Sequence, residues 1–248
     1  MENTHDSNWF KNWFDSPYYH ILYSNRNIKE AELFIDNLVD YLKPKADSQF
    51  LDLACGKGRH SIYLNSKKFN VTGIDLSPHS IDHAKQFEND SLHFYVHDMR
   101  TPCKENHFDY VVNLFTSFGY FDDEADNYAT IDSVCKVLQP NGFFVLDFFN
   151  MEKIIPSIIP HEKKTIQGIE FTIEKKIEDD YIVKNISFSD EGKKYHFQEC
   201  VKIITLPMFE KYFSVNKLKI VDLRGSYNMD TFNHETSDRL ILIAQKQE

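Results

Sequence analysis

The sequence lacks the features that mark membrane, secreted and disulfide-stapled proteins. No apolar run approaches the length needed to cross a bilayer, and residues 1–13 have neither the basic start nor the apolar stretch of a secretory signal. The four cysteines include no Cys-x-x-Cys pair and are too few for a disulfide framework. We therefore expect a soluble, cytoplasmic protein with reduced thiols.

An excess of basic residues is also absent. The formal net charge is −10, so no general electrostatic attraction draws the protein to nucleic acid or to anionic membranes. The 248 residues suffice for one domain with a full core, and aromatic residues make up 15% of them, which favours an aromatic-lined pocket. We expect neither a nucleic-acid partner nor a membrane partner.

Strand-like and helix-like segments alternate over the first 150 residues. Short apolar segments have the character of strands, and the segments between them have the spacing or the boundary signals of helices. Alternation of this kind predicts a doubly wound α/β fold, with a mostly parallel sheet and helices on both faces. The predicted strands are residues 50–54, 71–75, 92–97, 108–114 and 143–149, and the predicted helices are residues 28–42, 60–68, 78–87 and 122–138.

The pattern changes after residue 150. Between residues 161 and 205 apolar and polar residues alternate, and residues 190–193 form a hairpin turn signal. This predicts an antiparallel β insertion after strand five, followed by strands at 218–223 and 240–244 that complete the sheet. The expected units are an N-terminal helical lid (1–45), a core (46–150 and 206–248) and an antiparallel β cap (151–205).

A glycine turn between the first strand and the next helix is the sharpest chemical signal. The strand ends in the small residues Ala54-Cys55-Gly56-Lys57-Gly58, which let the backbone approach a ligand closely. Ser61 stands where the dinucleotide fingerprint has its third glycine, which disfavours NAD. Asp52, a carboxylate inside the strand, favours a cationic ligand over a phosphate.

Polar side chains stand at the ends of the following strands. Asp75 lies about twenty residues after the glycines, where an acidic side chain accepts hydrogen bonds from ribose hydroxyls. Asp98, after the third strand, either accepts from an adenine amino group or caps its own loop, and Asn113 ends the fourth strand. Because open α/β sheets bind ligands at the carboxyl ends of their strands, we expect one site there.

Together these motifs resemble the class I S-adenosylmethionine-dependent methyltransferases, over roughly residues 28–150. The resemblance implies a Rossmann-like sheet of seven strands with the last antiparallel, and S-adenosyl-L-methionine as the cofactor. The insertion resembles that of small-molecule methyltransferases, which implies a small-molecule acceptor. It further implies that Ala54, Gly56 and Gly58 line the methionine part of the cofactor, that Asp75 holds the ribose, and that Asp98 with Met99 frames the adenine. The motifs that carry it are Leu51-Asp52-Leu53-Ala54-Cys55-Gly56-Lys57-Gly58, Gly73-Ile74-Asp75-Leu76-Ser77, His97-Asp98-Met99 and Val137-Leu138-Gln139-Pro140-Asn141-Gly142.

Further residues complete the expected cofactor site. Cys55, Leu76 and His97 belong to these motifs. Arg59 either binds the cofactor's carboxylate bidentately or lies exposed on its helix. Tyr19 belongs to an aromatic N-terminal segment that either covers the cofactor or packs against the sheet. We expect no metal, and no catalytic residue is identified from the sequence.

Several questions stay open at this level. A nitrogen or an oxygen of the acceptor attacks the methyl group, and only a hydroxyl acceptor requires a histidine or carboxylate as base. The alternatives to a small-molecule methyltransferase are an RNA or protein methyltransferase, a non-catalytic S-adenosylmethionine-binding regulator, and an NAD-dependent oxidoreductase. The oligomeric state, monomer or homodimer, is likewise left undecided.

Overall fold

The computed structural model describes residues 9–24 and 28–247 of the chain. The helices are α1 (Trp9–Phe14), α2 (Pro17–Leu22), α3 (Ile28–Leu42), α4 (Arg59–Ser66), α5 (Pro78–Ala84), α6 (Glu124–Val137), α7 (Met151–Ile154) and α8 (Leu206–Val215). The strands are β1 (Gln49–Leu53), β2 (Asn70–Asp75), β3 (Leu92–Val96), β4 (Phe108–Asn113), β5 (Leu138–Phe149), β6 (His161–Ile166), β7 (Ile169–Glu178), β8 (Tyr181–Asp190), β9 (Lys193–Lys202), β10 (Leu218–Arg224) and β11 (Arg239–Lys246).

The main sheet of the described chain has seven strands in the order β10-β11-β5-β4-β1-β2-β3. Strands β1 to β5 pair in parallel, and β11 is antiparallel to both of its neighbours. The predicted doubly wound, mostly parallel fold is therefore confirmed, as is the antiparallel last strand. The inner strand β1 is buried along almost its whole length, which explains its mostly apolar sequence.

Strands β6 to β9 form a separate antiparallel sheet in which each strand pairs with the next. The hairpin between β8 and β9 turns at Glu191 and Gly192, both with positive φ, within the predicted turn 190–193. This sheet packs against α1 and α2 in an aromatic cluster that includes Trp13 and Phe171. The predicted antiparallel insertion is present. That it caps the acceptor side stays a prediction, as do the boundaries of the lid, core and cap; residues 1–8 and 25–27 of the expected lid lie outside the described residues.

Helices on both faces of the main sheet hold its strand ends in place. Helix α3 packs Phe34 and Leu38 against one face, in a cluster shared with α4 and α5. Helices α6 and α8 cover the other face. At the end of β2, the Ser77 side chain accepts from the backbone N–H of Ser80, and Pro78 occupies the first turn of α5. The chain therefore turns sharply from strand to helix beside the predicted site.

Most predicted strand boundaries agree within two residues, and the start of β5 differs by more. Strand β5 begins at Leu138 instead of residue 143, and it includes the predicted turn 139–142. Leu138 pairs with Phe108 before the register shifts, and Asn141 has a φ of 65°. The turn residues are thus present, but pairing on both sides of them keeps them within the strand.

Candidate active site

A cavity of about 290 Å³ lies at the carboxyl ends of β1 to β4 and is bounded by α1 and α2. Asp52, Gly58 and Asn113 lie outside its lining. The assignment of all the predicted residues to a cofactor stays a prediction, but the structure brings most of them to this cavity. Those in the lining are Tyr19, Ala54, Cys55, Gly56, Arg59, Asp75, Leu76, His97, Asp98 and Met99.

The two glycines of the turn after β1 have backbone conformations that favour glycine over other residues. Gly56 and Gly58 have φ values of 55° and 80°, in the left-handed region. A Cβ on Gly58 would lie 2.7 Å from the ring of Phe94, whereas a Cβ on Gly56 would meet no atom within 4 Å. The absence of a side chain at Gly58 therefore allows Phe94 to pack beneath the turn, and the absence of one at Gly56 leaves open space in the cavity lining.

Asp75, at the end of β2, is joined to the glycine turn. Its Oδ2 accepts from the backbone N–H of Gly56 and its Oδ1 from that of Ser77, both at 2.8 Å. Burial raises the pKa of this carboxyl, and hydrogen bonds from backbone amides, among them those of Ser77 and Gly56, oppose the rise. Each oxygen keeps a second lone pair, so the carboxylate has the capacity to accept hydroxyl donors from a ligand.

Asp98, after β3, is paired with Arg100. The guanidinium reaches the carboxylate at 2.6 Å from Nη2 to Oδ2 and at 3.0 Å from Nε to Oδ1. These bonds hold the pKa of Asp98 below its usual range. Arg100 also bonds to Asp126 at 2.8 Å and lies over the ring of Phe121, 4.8 Å from its centre. Asp98 is therefore an ionised acceptor with a fixed orientation in the cavity.

Two predicted residues lie behind the cavity wall. Asp52 is 1% exposed and accepts from Ser61 Oγ at 2.6 Å; burial raises its pKa to about 7. Asn113 is equally buried and donates through Nδ2 to the carbonyl oxygen of Leu53 at 3.0 Å, while its Oδ1 has no partner among the described residues. Both side chains tie neighbouring elements together beneath the site.

The thiol of Cys55 is also buried, although the residue contributes to the lining. Burial raises its pKa well above the usual value, so the thiol is protonated at neutral pH. A protonated thiol is a poor nucleophile. Cys55 is therefore a small packing residue in the turn.

His60 and His20 of the lining are uncharged. Burial, together with the neighbouring Arg59, lowers the pKa of His60 to about 3, and burial, together with Lys57, lowers that of His20 to about 4. Both imidazoles are therefore neutral at pH 7. His97, which the sequence placed in the site, is hydrogen bonded through Nε2 to the carbonyl oxygen of Thr101 at 2.9 Å.

Aromatic residues of α1 and α2, and one directly after α2, form one wall of the cavity. Hydrogen bonds join this part of the chain to the sheet of β6 to β9. The Tyr23 hydroxyl donates to Glu199 at 2.6 Å, and Trp13 Nε1 donates to the same carboxylate oxygen at 2.6 Å. Lys184 pairs with Glu199 at 3.2 Å, with both side chains largely buried. Sequence patterns carry no signal for this cluster, because Trp13 and Tyr23 lie at least 161 residues from Lys184 and Glu199. The residues of this wall are Phe10, Phe14, Tyr19, His20 and Tyr23.

Within residues 9–24 and 28–247, no group of three or more histidine, cysteine, aspartate or glutamate side chains is placed to hold a metal ion. No helix in these ranges is long and apolar enough to cross a membrane.

Sequence comparison connects the chain to known methyltransferases. The profile of a family described as methyltransferase domain matches residues 44–201. A putative methyltransferase of Bacillus subtilis is 39% identical over 109 residues, 43% of this chain and 44% of that protein. The dTDP-3-amino-3,4,6-trideoxy-α-D-glucopyranose N,N-dimethyltransferase of Streptomyces venezuelae is 26% identical over 201 residues, 77% of this chain and 83% of that protein. The chain thus spans less than half of the first relative and most of the second.

Structural comparison agrees with the sequence match. The crystal structure of an S-adenosylmethionine-dependent methyltransferase from Clostridium acetobutylicum matches with a TM-score of 0.79 at 22% identity, over 96% of this chain and 99% of that chain. At this identity the likeness shows the fold. The family profile covers more than half of the chain, and the predicted resemblance is confirmed. The protein belongs to the methyltransferase domain family and has the class I fold, whose enzymes take their methyl group from S-adenosyl-L-methionine.

Proposed function

We propose that this protein transfers the methyl group of S-adenosyl-L-methionine to a nitrogen atom of an uncharged small-molecule amine. The observation that carries the proposal is the cavity at the carboxyl ends of β1 to β4, where the motifs of three successive strands meet. When bound, the cofactor supplies a methyl group on a sulfonium centre.

The residues of the cavity fit this cofactor. Asp75 and Asp98 present carboxylate acceptors, one for ribose hydroxyls and one for an adenine amino group. Gly56 leaves room beside the turn for the methionine part, and the guanidinium of Arg59 offers a fork for its carboxylate. The aromatic wall suits the positive charge of a sulfonium.

A small acceptor is favoured by the aromatic wall of the site. The wall residues of α1 and α2 line the cavity and their rings contact one another, with Phe14 and Tyr19 5.0 Å apart between centroids. Such a wall excludes water from the reacting atoms and positions the acceptor for in-line attack, the two effects that we expect to supply most of the rate. The relative from Streptomyces venezuelae is named for N,N-dimethylation, which supports a nitrogen acceptor.

Four titratable groups of the lining are poorly suited to act as a base, which favours nitrogen over oxygen. A hydroxyl acceptor needs a base that removes its proton during transfer, whereas a neutral amine attacks through its own lone pair. His20 and His60 have pKa values near 4 and 3, which makes them weak bases. Asp98 is engaged by Arg100, and Asp75 is bonded to two backbone amides.

The test is a methyl-transfer assay with S-adenosylmethionine and a panel of small amines, each paired with the alcohol of the same carbon skeleton. We expect S-adenosylhomocysteine to form with at least one amine, and the rate to rise with pH as that amine loses its proton. The Asp75→Ala variant should need about tenfold more S-adenosylmethionine to reach half of its maximal rate. Turnover of the alcohols but of none of the amines would contradict the proposal.

A further inference from the structure

The loop after β4 has an unusual backbone where it meets the cavity. Phe115 and Thr116 are consecutive residues with positive φ, 57° and 62°, in a region that residues other than glycine seldom adopt. Such a conformation persists only where the surrounding structure fixes it. Phe115 lines the cavity, so what holds this loop also shapes the site.

A buried ion pair fixes the two residues. Asp147, which is fully buried in β5, accepts from the backbone N–H of Phe115 at 2.7 Å through Oδ2, and its carbonyl oxygen accepts from that of Thr116 at 3.1 Å. Arg239 of β11 donates through Nε to Asp147 Oδ1 at 2.7 Å and through Nη2 to Thr116 Oγ1 at 2.7 Å. Three bonds therefore hold the loop against the sheet, and the ion pair joins β5 to β11 beneath it.

Tyr227 also contacts the ring of Phe115 and restricts its position. The two rings stack with centroids 4.8 Å apart and planes at 28°. Phe34 also stacks on Tyr227, with centroids 4.6 Å apart, and lies 6.4 Å from Phe115. The Tyr227 hydroxyl donates to Asp147 Oδ2 at 3.2 Å. Burial and the nearby Asp147 raise the pKa of Tyr227 above its usual range, so the hydroxyl remains a donor. We call Asp147, Arg239 and Tyr227 the Phe115 clamp.

Arg59 lies on the cavity side of the same ring. Its guanidinium carbon is 4.5 Å from the centroid of Phe115, and its Nη2 is 3.4 Å from Nε2 of His60. Arg59, Phe115 and His60 all line the cavity, whereas no residue of the Phe115 clamp does. The clamp therefore contacts the lining at Phe115, the ring on which the guanidinium rests.

We propose that the Phe115 clamp positions Arg59 to bind the carboxylate of the methionine part of S-adenosylmethionine. This inference rests on the proposed function. A guanidinium binds a carboxylate through two parallel bonds only when its plane is correctly oriented. Arg59 is the first residue of α4, directly after the glycine turn, and the stacked rings fix the plane of its fork. The clamp residues are positioning residues, since they act on the cofactor through Arg59.

A pair of ligands separates positioning of Arg59 from a general effect on the fold. S-adenosylhomocysteine carries the carboxylate, and 5′-methylthioadenosine has the same adenosine and sulfur but no amino-acid part. We expect Tyr227→Leu to raise the dissociation constant for S-adenosylhomocysteine about tenfold, a loss of one charged contact, and that for 5′-methylthioadenosine by less than about twofold. Arg59→Ala should give the same selective loss, and the double variant should be no weaker than Arg59→Ala.

Tyr110→Leu is the matched control, because Tyr110 is also partly buried and stacked between two phenylalanine rings, but outside the cavity lining. It should leave the ratio of the two dissociation constants unchanged. If Tyr227→Leu does not fold, as judged by thermal melting, Thr116→Val removes the Arg239 bond with little change of shape and should show the same selectivity. Equal losses for both ligands, or no loss, would overturn this proposal alone. Failure of the parent protein to bind S-adenosylhomocysteine would overturn the proposed function and this inference with it.

Discussion

Replacement of Asp75 by alanine is the sharpest single test of the cofactor site. The carboxylate already accepts one backbone amide on each oxygen, from Gly56 and Ser77, and has one lone pair on each left for a ligand. A hydrogen bond to a charged group contributes about 1.5 to 3 kcal/mol. Because water enters the space that alanine leaves, we expect a net loss close to one such bond, at least about 1.4 kcal/mol, which is a tenfold rise in the dissociation constant.

The measurement is calorimetric titration of the parent and of Asp75→Ala with S-adenosylhomocysteine. Since the change also leaves the amides of Gly56 and Ser77 without their acceptor, both proteins should be melted without ligand to show that the variant is folded. Asp132→Ala is the control: it removes one negative charge from an exposed pair with Lys136 on α6. A folded Asp75→Ala protein that binds as tightly as the parent would refute Asp75 as the ribose acceptor.

Three further predictions concern the glycine turn and the carboxylate beneath it. Because burial raises the pKa of Asp52 to about 7, its contribution to stability is present below about pH 4 and is lost as the pH rises through 7. The melting temperature of Asp52→Asn should therefore rise relative to that of the parent over this pH range. Parallel plots of melting temperature against pH for the two proteins would contradict this. Gly58→Ala should lower the free energy of unfolding by about 2 kcal/mol in denaturant titrations, because its Cβ collides with Phe94. Gly56→Ala meets no such contact, so it should cost less stability but weaken S-adenosylhomocysteine binding; a larger loss of stability than in Gly58→Ala would count against this account.

The features of the site that the sequence predicted depend on patterns that are short along the chain. The βαβ connection fixes the positions of the strand end, the glycine turn and the acidic residue about twenty residues later. In the structure, the hydrogen bond from Gly56 to Asp75 joins the turn to that acidic residue. The same holds for the fold, because the alternation of strands and helices and the later period of two are short-range patterns. Most of the predicted site residues accordingly share one cavity.

The parts that the sequence did not predict depend on the pairing of distant segments. The Asp147–Arg239 pair is 92 residues apart and requires the antiparallel register of β5 with β11. The positive φ of Phe115 could not be predicted from the sequence, because a bulky aromatic residue does not indicate it. The Asp147–Arg239 pair imposes this conformation. The cluster around Glu199 likewise requires the packing of two helices on a separate sheet.

The central claim is that the cavity at the carboxyl ends of β1 to β4 binds the methyl donor. The most direct test is calorimetric titration of the full chain with S-adenosylhomocysteine, with NAD titrated in parallel. We predict saturable binding of one S-adenosylhomocysteine per chain and no saturable heat with NAD. Saturable binding of NAD without binding of S-adenosylhomocysteine would contradict the claim.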